Sequence, residues 1–595
     1  MLRRLPIRRF PERTLPRLLA AAARRHGGRT FLRFIDPAAP EAPPRPISFG
    51  EFALGAGRAA AFLRAAGVGP GDRVLLLAET SPQWQMLALG AQLLRTEPAA
   101  LFASLDGAPV REIARRVRPR VAVVSGPAQW AKLAPAAEEL ARGGLAAVVS
   151  GEPVDAPLPA GLARATLAEA TGGNAPGPDL EGIEALARAG GEDDPFLLLF
   201  TSGTTGRPKG VRLPQRAIVH AIEGGNAAVG TTADDVGLHF LPFGHVAGHD
   251  HFAIALAQGH ELVMAARRED IERGLALAPT YLFSVPLVYE RIRASVEAKL
   301  DALPGPLRRL ARAALAAAVR VRVDGARGPG DRALAHLADR LVGAKVRARL
   351  GGRVRGLYSG GAPASAALFR FFEGLGIPLV ELYGMSETAG LISSNLLDGV
   401  RRPESAGLIS ADHEVRIEED GELLLRGPLV FQGYLEPEDD RGVFTDDGFF
   451  RTGDLARVDA EGFLRVEGRK KALLVLSTGK KLSPEPIEQA IASTAPFQGA
   501  VLLGEGRPFV AAAVFVAQEE IARLAAAGKD PAVELLPRVR AALAAFSEFE
   551  KPKRLVVIPG GPQDHPALVT PTLKLRRDAL RAMFGEELAA IYGAA

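Results

Sequence analysis

Short apolar runs alternate with alanine- and leucine-rich helical segments along much of this 595-residue chain. The runs include "RVLLLA" (73–78), "VAVVS" (121–125) and "AAVVS" (146–150), and the pattern continues to "IPLVELYG" (377–384). Runs of this kind are typical of buried strands. Strands that alternate with helices predict parallel α/β sheets.

The spacing of the predicted strands changes at about Glu404. The segments "HEVRIEEDGELLLRG" (413–427) and "GFLRVEG" (462–468) predict closely spaced antiparallel strands with Gly and Asp turns. A chain of 595 residues is too long for one core. We therefore expect a large N-terminal domain over residues 1–468, built from parallel α/β subdomains and a small β-barrel-like unit. A small, mobile α+β domain over residues 469–595 is expected to follow it.

Composition restricts the chemistry that the chain can perform. Hydrophobic residues make up 47% of the chain and charged residues 24%, which is typical of a globular protein. The net charge of +5 is small for this length, so we expect no nucleic-acid partner and a better match to anionic small molecules. The absence of cysteine excludes disulfides, thiolate metal sites and thiol nucleophiles.

The sequence also bears on membrane contact. It has no apolar run of about 18 residues, the length that a membrane-spanning helix needs, and the apolar stretch at Leu18–Ala23 is too short for a secretory signal, so we expect a cytoplasmic protein. The segment Leu307–Val323 is arginine-rich on one side and apolar on the other. This pattern is typical of a helix at a membrane surface and equally of a packed helix with a solvated face. Peripheral membrane contact and ordinary packing both remain open.

The stretch "LLLFTSGTTGRPKG" (197–210) carries the strongest chemical signal. Its apolar residues predict a buried strand, and the Ser/Thr/Gly run after it predicts a loop whose N–H groups and hydroxyls can point at one anion. The glycine spacing differs from that of a P-loop, and neither Ser nor Thr follows Lys209. The stretch therefore predicts a phosphate-binding loop of another class.

This loop, with "SGGAP" (359–363), "LYGMSETAG" (382–390) and "FFRTGDLA" (449–456), resembles the adenylate-forming superfamily. That superfamily comprises acyl-CoA synthetases, luciferases and the adenylation domains of peptide synthetases. The resemblance runs from about Thr14 to Leu580. The helical insertion that ends "LVGAKVRARLGGRVRGLYSGGAP", and "TPTLKLRR" near the end of the chain, are similar to the long-chain fatty acyl-CoA synthetase branch.

The resemblance implies an ATP site. The β- and γ-phosphates would be held by the loop residues Thr201, Ser202, Gly203, Thr204, Thr205 and Gly206. The adenine would be lined by Gly361, Ala362 and Pro363, with Tyr383 and Gly384 against the purine and Thr388 on the α-phosphate. Asp454 would accept hydrogen bonds from the ribose hydroxyls, and Arg469 would lie on the ribose and phosphate side.

The resemblance also implies four catalytic residues and a hinge. Lys574 would stabilise the α-phosphate and the attacking carboxylate, and Lys209 would neutralise phosphate charge. Glu387 would be the ligand of a Mg²⁺ ion that bridges the phosphates, because a hard cation needs oxygen ligands. His245, in "LPFGHVAGHDH", would lie beside the acyl tunnel, and Lys471 would be the hinge between the domains.

The implied reaction is the ATP-dependent ligation of a long-chain fatty acid to CoA. The carboxylate attacks the α-phosphorus to give acyl-adenylate and pyrophosphate, and the CoA thiol then displaces AMP. No protein nucleophile is needed, in agreement with a chain that lacks cysteine.

Other functions stay open at this point. Within the superfamily, the adenylate could be passed to a carrier protein, or the acid could be a medium-chain or aryl acid. Outside it, "GMSET" (384–388) invites a serine hydrolase interpretation, but Thr388 stands where a nucleophile elbow has its last glycine. A nucleotide-binding protein without catalysis is another alternative. Zinc at His245, His249 and His251 is disfavoured, because neither a cysteine nor a nearby pair of acidic residues completes a tetrahedral set.

The chain departs from the family pattern in two regions. Ala472 stands where many relatives have an acidic or amide residue beside the hinge, which leaves the domain rotation less certain than ATP binding. The continuation after His245 also departs from the more usual acidic or glutamine-containing continuation of the family.

Overall fold

The computed structural model describes residues 3–202, 207–403, 405–569 and 575–592. Within these ranges the chain forms two large sheets with helices packed on them, and two small sheets that begin after residue 473.

The first large sheet is predominantly parallel. In the described residues it has seven strands, in the spatial order β7-β6-β5-β3-β4-β8-β9. Their bounds are β3 (Arg73–Leu77), β4 (Glu97–Ala100), β5 (Val121–Val124), β6 (Ala147–Ser150), β7 (Ala163–Thr166), β8 (Pro195–Ser202) and β9 (Pro208–Pro214). Only the β8–β9 pair is antiparallel among these pairings. Strands β5 and β6 are buried along their whole length, as their unbroken apolar runs predict.

The second large sheet changes from parallel to antiparallel along its width. Its order is β17-β18-β19-β20-β16-β15-β14-β13-β12-β10-β11-β1-β2. The parallel part contains β1 (Thr30–Ile35), β10 (Val236–His239), β11 (Glu261–Ala265), β12 (Tyr281–Ser284), β13 (Gly356–Ser359) and β14 (Leu379–Tyr383), and β2 (Arg45–Ser48) pairs antiparallel with β1 at its edge. The antiparallel part contains β15 (Ser393–Ser394), β16 (Gly407–Ile409), β17 (Glu414–Ile417), β18 (Glu422–Arg426), β19 (Phe450–Val458) and β20 (Phe463–Arg469). The antiparallel unit expected after Glu404 thus continues a sheet that begins with parallel strands.

Helices connect most of the strands in the N-terminal part. They are α1 (Leu15–His26), α2 (Phe49–Ala65), α3 (Pro82–Leu93), α4 (Gly107–Val117), α5 (Pro127–Leu133), α6 (Ala137–Arg142), α7 (Leu167–Thr171), α8 (Leu180–Arg188), α9 (Gln215–Val229), α10 (Val246–Gln258), α11 (Ile271–Leu275), α12 (Pro286–Asp301), α13 (Gly305–Arg322), α14 (Pro329–Ala338), α15 (Ala344–Arg349) and α16 (Ala366–Gly374). The largest apolar cluster joins side chains of both large sheets, for example Leu76 of β3 and Leu262 of β11. The two sheets therefore share one core.

The C-terminal part has its own core. Its strands are β21 (Leu474–Val475), β22 (Lys481–Leu482), β23 (Phe497–Leu503), β24 (Ala511–Val516) and β25 (Leu555–Pro559). Its helices are α17 (Pro484–Ala492), α18 (Gln518–Ala526), α19 (Pro531–Ala542), α20 (Arg577–Met583) and α21 (Gly585–Tyr592). Strand β24 pairs antiparallel with β23 and parallel with β25, which gives the predicted mixture of helices and strands. Its mobility stays a prediction.

Helix α13 covers the segment that the sequence offered as a helix at a membrane surface. Its buried face consists of the small residues Ala311, Ala314, Ala317 and Ala318. Leu307 and Leu310 at its N-terminal end remain 53% and 40% exposed. Across the described residues, none of the helices combines the length and the apolar character needed to cross a membrane.

Candidate active site

A large cleft lies where the carboxyl ends of β12, β13 and β14 meet hairpins from elsewhere in the chain. Its volume is about 2040 Å³. Ligands of open α/β sheets commonly bind at this end of the strands. Hairpin β8–β9 contributes Thr201 and Lys209, and hairpin β19–β20 contributes Asp454 and Arg469. Residues that are more than two hundred positions apart therefore face one cavity.

Three of the predicted nucleotide residues are connected by one hydrogen bond and one ion pair. The Tyr383 hydroxyl donates to Asp454 Oδ2 at 2.6 Å, and Arg469 Nε lies 3.1 Å from Asp454 Oδ1. Asp454 and Arg469 are direct partners in the β19–β20 ladder, so the sheet register sets their separation. Burial, and secondly the neighbouring Asp454 carboxylate, raise the pKa of Tyr383 well above its usual value. Asp454 is 3% exposed and oriented by both partners.

A second group connects the phosphate-side residues. Strand β9 pairs Lys209 with Thr201, and Lys209 Nζ lies 3.4 Å from Asp439 Oδ1 and 4.7 Å from the ring centroid of Tyr434. The Tyr434 hydroxyl donates to Glu387 Oε1 at 2.9 Å. Tyr434 thus links Lys209, the cation predicted for phosphate binding, to Glu387, the predicted Mg²⁺ ligand. The sequence interpretation missed Tyr434.

The turn after β14 orients Glu387 by a close approach of two backbone segments. A Cβ atom on Gly384 would lie 1.5 Å from the carbonyl oxygen of Gly390, so the turn requires glycine at this position. Residues Ser386–Thr388 form a single 3-10 turn. Ser386, Glu387 and Gly390 line the cleft.

Thr388 has a different position in the same turn. It is fully buried, and its hydroxyl donates to the Met385 carbonyl oxygen at 3.1 Å and accepts from the Met385 N–H at 3.2 Å. The hydroxyl that lines the cleft belongs to Ser386. The contact of Thr388 with the α-phosphate stays a prediction, and Ser386 is a second hydroxyl for that role.

The remaining predicted residues have varied positions. Gly361, Ala362 and Pro363 follow β13, are exposed and line the cleft. Lys471 lines the cleft from the 3-10 turn Lys470–Ala472, which follows β20. Ser202 is the last residue of β8. Gly203, Thr204, Thr205, Gly206 and Lys574 lie outside the described residues, as does Glu404.

The end of β20 has a backbone position that requires glycine. Gly468, immediately before Arg469, has φ +138°, and a Cβ atom there would lie 1.8 Å from Ser483 Oγ. The C-terminal part contacts the cleft wall through the Gln489 side chain, which donates to the Pro363 carbonyl oxygen. It also accepts a hydrogen bond from Arg293 of α12 at the Ser493 carbonyl oxygen.

A second cavity of about 1670 Å³ adjoins the cleft. We call it the apolar chamber; its inner wall includes Phe240, Ile271, Val288, Ile292 and Val346. The cleft and the apolar chamber share eight lining residues: Leu101, Phe102, Gly244, His245, Ala247, Phe283, Gly360 and Gly361. The two cavities therefore meet at the loop before α10.

His245 lies at this junction. It caps the N-terminus of α10, where its Nδ1 accepts from the Ala247 N–H at 3.2 Å. The other histidines of the motif are buried in the helix: His249 Nε2 lies 2.8 Å from the Phe243 carbonyl oxygen, and His251 Nε2 lies 3.1 Å from the Tyr281 hydroxyl. Burial lowers the pKa of His249 to about 4. These histidines face separate neighbours and do not converge on one point.

Glu381 is a further cleft residue that the sequence interpretation missed. Its carboxyl accepts from the Ala364 N–H at 3.2 Å, and burial raises its pKa to about 8. At neutral pH it is therefore mostly a neutral acid. A glutamate at an otherwise apolar strand position, two residues before Tyr383, is the signal that could have found it.

A cluster with metal-binding residue types lies away from the cleft. His220, Glu223 and Asp412 bring ligand atoms within 4.8 Å of one another. Arg9 and Arg13 each pair with Glu223, at 2.9 and 2.5 Å, and Arg9 also reaches Asp412 at 2.8 Å. Because two guanidinium groups already neutralise the carboxylates, the cluster is an ion-pair network that holds the N-terminal segment on the fold.

The sequence matches two family models. A model described as AMP-binding enzyme matches residues 19–435, and one described as AMP-binding enzyme C-terminal domain matches residues 471–595. The chain belongs to the AMP-binding enzyme family. This membership confirms the resemblance to the adenylate-forming superfamily. The domain boundary after Gly468 stays a prediction.

Curated members of the family include relatives with more specific names. The long-chain-fatty-acid–CoA ligase FadD15 of Mycobacterium tuberculosis is 34% identical over 421 residues, which cover 67% of this chain and 69% of the relative. The long-chain-fatty-acid–CoA ligase heimdall of Drosophila melanogaster is 31% identical over 526 residues, which cover 84% and 76%.

Solved structures of AMP-binding enzymes have the same fold. ATP-bound MatB from Rhodopseudomonas palustris aligns with a TM-score of 0.69 and 22% identity, over 96% of this chain and 99% of that one. A fatty acyl CoA synthetase from Mycobacterium tuberculosis aligns with a TM-score of 0.61 and 19% identity, over 97% and 99%. The predicted fold class, with a large N-terminal and a small C-terminal domain, is confirmed.

Proposed function

We propose that the protein is an ATP-dependent acyl-CoA synthetase that activates long-chain fatty acids through an acyl-adenylate and transfers the acyl group to CoA. The observation that carries this proposal is the apolar chamber, which opens onto a polar cleft at His245. Its volume of about 1670 Å³ exceeds the roughly 300–1,000 Å³ of most small-ligand pockets. The relatives named long-chain-fatty-acid–CoA ligases support the same acid and acceptor.

The cleft residues have the chemistry that adenylation needs. Asp454, oriented by Tyr383 and Arg469, would accept from the ribose hydroxyls, and Arg469 would also offer its guanidinium to phosphate. Lys209 and, from the resemblance, Lys574 would offset negative charge on the phosphates as the fatty carboxylate attacks the α-phosphorus. Pyrophosphate leaves in this step, and AMP leaves when the CoA thiol attacks the acyl carbonyl.

A Mg²⁺ site fits this arrangement. Mg²⁺ is usually bound by one or two carboxylates together with substrate phosphates. Glu387 supplies a carboxylate that lines the cleft and is oriented by the Tyr434 hydroxyl, so it is the residue that would hold the ion. When bound, the ion would neutralise phosphate charge.

Pyrophosphate release tests the proposed reaction. The purified protein would be given acids from acetate to long-chain fatty acids, and benzoate, with and without CoA. We expect release to require ATP, Mg²⁺ and an acid, long-chain acids to be preferred over acetate and benzoate, and acyl-CoA to form only with CoA. Equal or better turnover of acetate or benzoate would contradict the long-chain assignment. Adenylate that is not transferred to CoA would favour a carrier-protein acceptor.

The hinge at Lys471 gives a prediction that separates the two half-reactions. Proline at this position fixes φ near −65° and removes a backbone donor, so rotation about the turn Lys470–Ala472 should be hindered. We expect Lys471→Pro to retain pyrophosphate release but to lose acyl transfer from adenylate to CoA. Lys471→Ala is the matched control, because it removes the charge and leaves the backbone mobile. If the proline variant transferred acyl groups at the rate of the alanine variant, rotation about this turn would not be part of the mechanism.

Contact with an anionic membrane surface is a further expectation. Exposed Leu307 and Leu310 of α13 lie beside arginines, and exposed Arg291, Lys299, Lys345 and Arg349 contribute to the apolar chamber. A basic residue near an anionic surface contributes about 1 kcal/mol, and salt screens this attraction. We expect sedimentation with phosphatidylcholine vesicles only when they contain phosphatidylglycerol, and we expect it to fade as salt rises.

Variants of the same helix test this expectation. Replacing Arg308, Arg309 and Arg312 with glutamine should abolish the sedimentation. The matched control replaces three arginines of the C-terminal part, the exposed Arg523 and Arg538 and the half-buried Arg540. Sedimentation that is independent of phosphatidylglycerol, or equal in both triple variants, would leave α13 as an ordinary packed helix.

A further inference from the structure

Part of the cleft is lined by buried residues of α9, α10 and the second sheet. We call it the inner recess; its wall includes Gly225, Val229, Asp250, His251, Tyr281 and Tyr358. Val229, His251, Tyr281 and Tyr358 are each no more than 5% exposed, although all of them line the cavity. None of these four residues lines the apolar chamber, so the inner recess and the apolar chamber have different walls.

Most polar groups of the inner recess already have partners. His251 Nδ1 lies 3.2 Å from His239 Nδ1, and His251 Nε2 lies 3.1 Å from the Tyr281 hydroxyl, which also lies 2.8 Å from His260 Nε2. The Tyr358 hydroxyl donates to the Val229 carbonyl oxygen at 3.1 Å. These bonds hold the rings in place and leave them little capacity to bind a ligand.

Asp250 differs from its neighbours. Its Oδ1 is the one buried side-chain N or O atom among the described cleft-lining residues that lacks a hydrogen-bond partner. A buried acceptor without a partner is unfavourable unless a ligand or water satisfies it. The other carboxyl oxygen, Oδ2, packs on the turn after β14, because a Cβ atom on Gly390 would lie 2.0 Å from it.

The inner recess has no charged partner for Asp250 among these neighbours. Burial lowers the pKa of His239 and of His260 to about 3 and lowers that of His251 as well, so these rings are neutral. Burial also raises the pKa of Asp250 well above its usual value, which favours the protonated carboxyl, and a protonated carboxyl both donates and accepts. A neutral hydroxyl group complements it, since a hydroxyl can both accept and donate.

We infer that the inner recess selects fatty acids that carry a hydroxyl group close to the carboxyl, and that Asp250 is the residue that determines this preference. The inference rests on the proposed function. The hydroxyl of the fatty acid would lie near its carboxyl group because Asp250 is close to the cleft residues that follow β14. Asp250 packs on Gly390, and the Gly390 carbonyl oxygen packs on Gly384. The alkyl chain would leave past His245 into the apolar chamber.

The test compares kcat/KM for pyrophosphate release among hexadecanoate, 2-hydroxy- and 3-hydroxyhexadecanoate, 16-hydroxyhexadecanoate and 3-aminohexadecanoate. We expect kcat/KM for a 2- or 3-hydroxy acid to exceed that for hexadecanoate by at least about tenfold. An acid without the hydroxyl would leave the buried group of the site unpaired, and this lowers its kcat/KM. The kcat/KM values for 16-hydroxyhexadecanoate and 3-aminohexadecanoate should not exceed that for hexadecanoate.

Variants of Asp250 connect the preference to this carboxyl. Asp250→Leu should reduce the ratio of hydroxy acid to hexadecanoate to about one, whereas Asp250→Asn should keep most of it, because an amide also donates and accepts. The matched control is Ser284→Ala, which removes a buried hydroxyl without a partner from the apolar chamber and should leave the ratio unchanged. Each ratio is measured within one variant, so a general loss of activity does not affect it.

The outcomes separate the two proposals. If none of the acids supported pyrophosphate release, the proposed function would be wrong, and this inference with it. Release from hexadecanoate without a preference for 2- or 3-hydroxy acids in the wild-type protein would overturn the inference and leave the proposed function standing. A preference for the amino acid or for the 16-hydroxy acid, or a hydroxyl preference that persists in Asp250→Leu, would also overturn the inference.

Discussion

Lys574→Ala is expected to slow acyl-adenylate formation by about 10² to 10³, the typical loss when a group aimed at developing transition-state charge is removed. The resemblance places this lysine at the α-phosphate and the attacking carboxylate, which form a bond with each other only in the first half-reaction. Thioester formation from supplied acyl-adenylate should therefore be largely spared. Pyrophosphate release measures the first step, and acyl-CoA formation from synthetic acyl-adenylate measures the second.

Lys529→Ala is the matched control for this prediction. Lys529 lies in the same C-terminal part, follows α18 and pairs with Glu534 at 3.1 Å. It does not line the cleft, so both half-reactions should keep their wild-type rates. Equal slowing of both half-reactions in Lys574→Ala would contradict a mechanism in which the C-terminal domain presents different residues to the two steps.

The fold could be predicted from the sequence where the pattern is local. The buried runs at residues 121–124 and 147–150 are β5 and β6, and the strands expected in 413–427 are β17 and β18. The way in which the antiparallel strands attach was not predictable. They join the parallel strands through the pairing of β14 with the two-residue strand β15, and so short a strand has no periodic pattern of its own.

The site could be predicted only in part for a similar reason. The motifs identified Tyr383, Asp454 and Arg469 one by one. The ion pair between Asp454 and Arg469, however, depends on the register of β19 with β20, which no local pattern shows. The direction of a side chain within a single turn could not be predicted either. The Thr388 hydroxyl, for example, donates to the Met385 carbonyl oxygen. Asp250 was missed because its importance comes from burial without a partner, a property of the packing of α9 and α10.

Asp454→Asn is expected to weaken ATP binding by more than tenfold. The side chain is 3% exposed and is oriented by the Tyr383 hydroxyl at 2.6 Å and Arg469 Nε at 3.1 Å. A hydrogen bond to a charged group contributes about 1.5 to 3 kcal/mol, and about 1.4 kcal/mol corresponds to a factor of ten. An asparagine keeps the shape but loses the charge, and its amide group can accept at only one atom. Calorimetric titration with ATP, and the KM for ATP, measure the loss.

Asp459→Asn, in the turn between β19 and β20, distinguishes loss of a nucleotide contact from loss of hairpin stability. Its carboxylate accepts from the Glu461 and Phe463 N–H groups of the turn and does not line the cleft. This variant should lower the melting temperature slightly and leave ATP affinity unchanged. If both variants lowered ATP affinity equally, the hairpin would matter only as a support. If Asp454→Asn remained folded and bound ATP as tightly as the wild-type protein, other groups in the cleft would have to bind the ribose hydroxyls. The neutral Glu381 carboxyl would be the next of these groups to test.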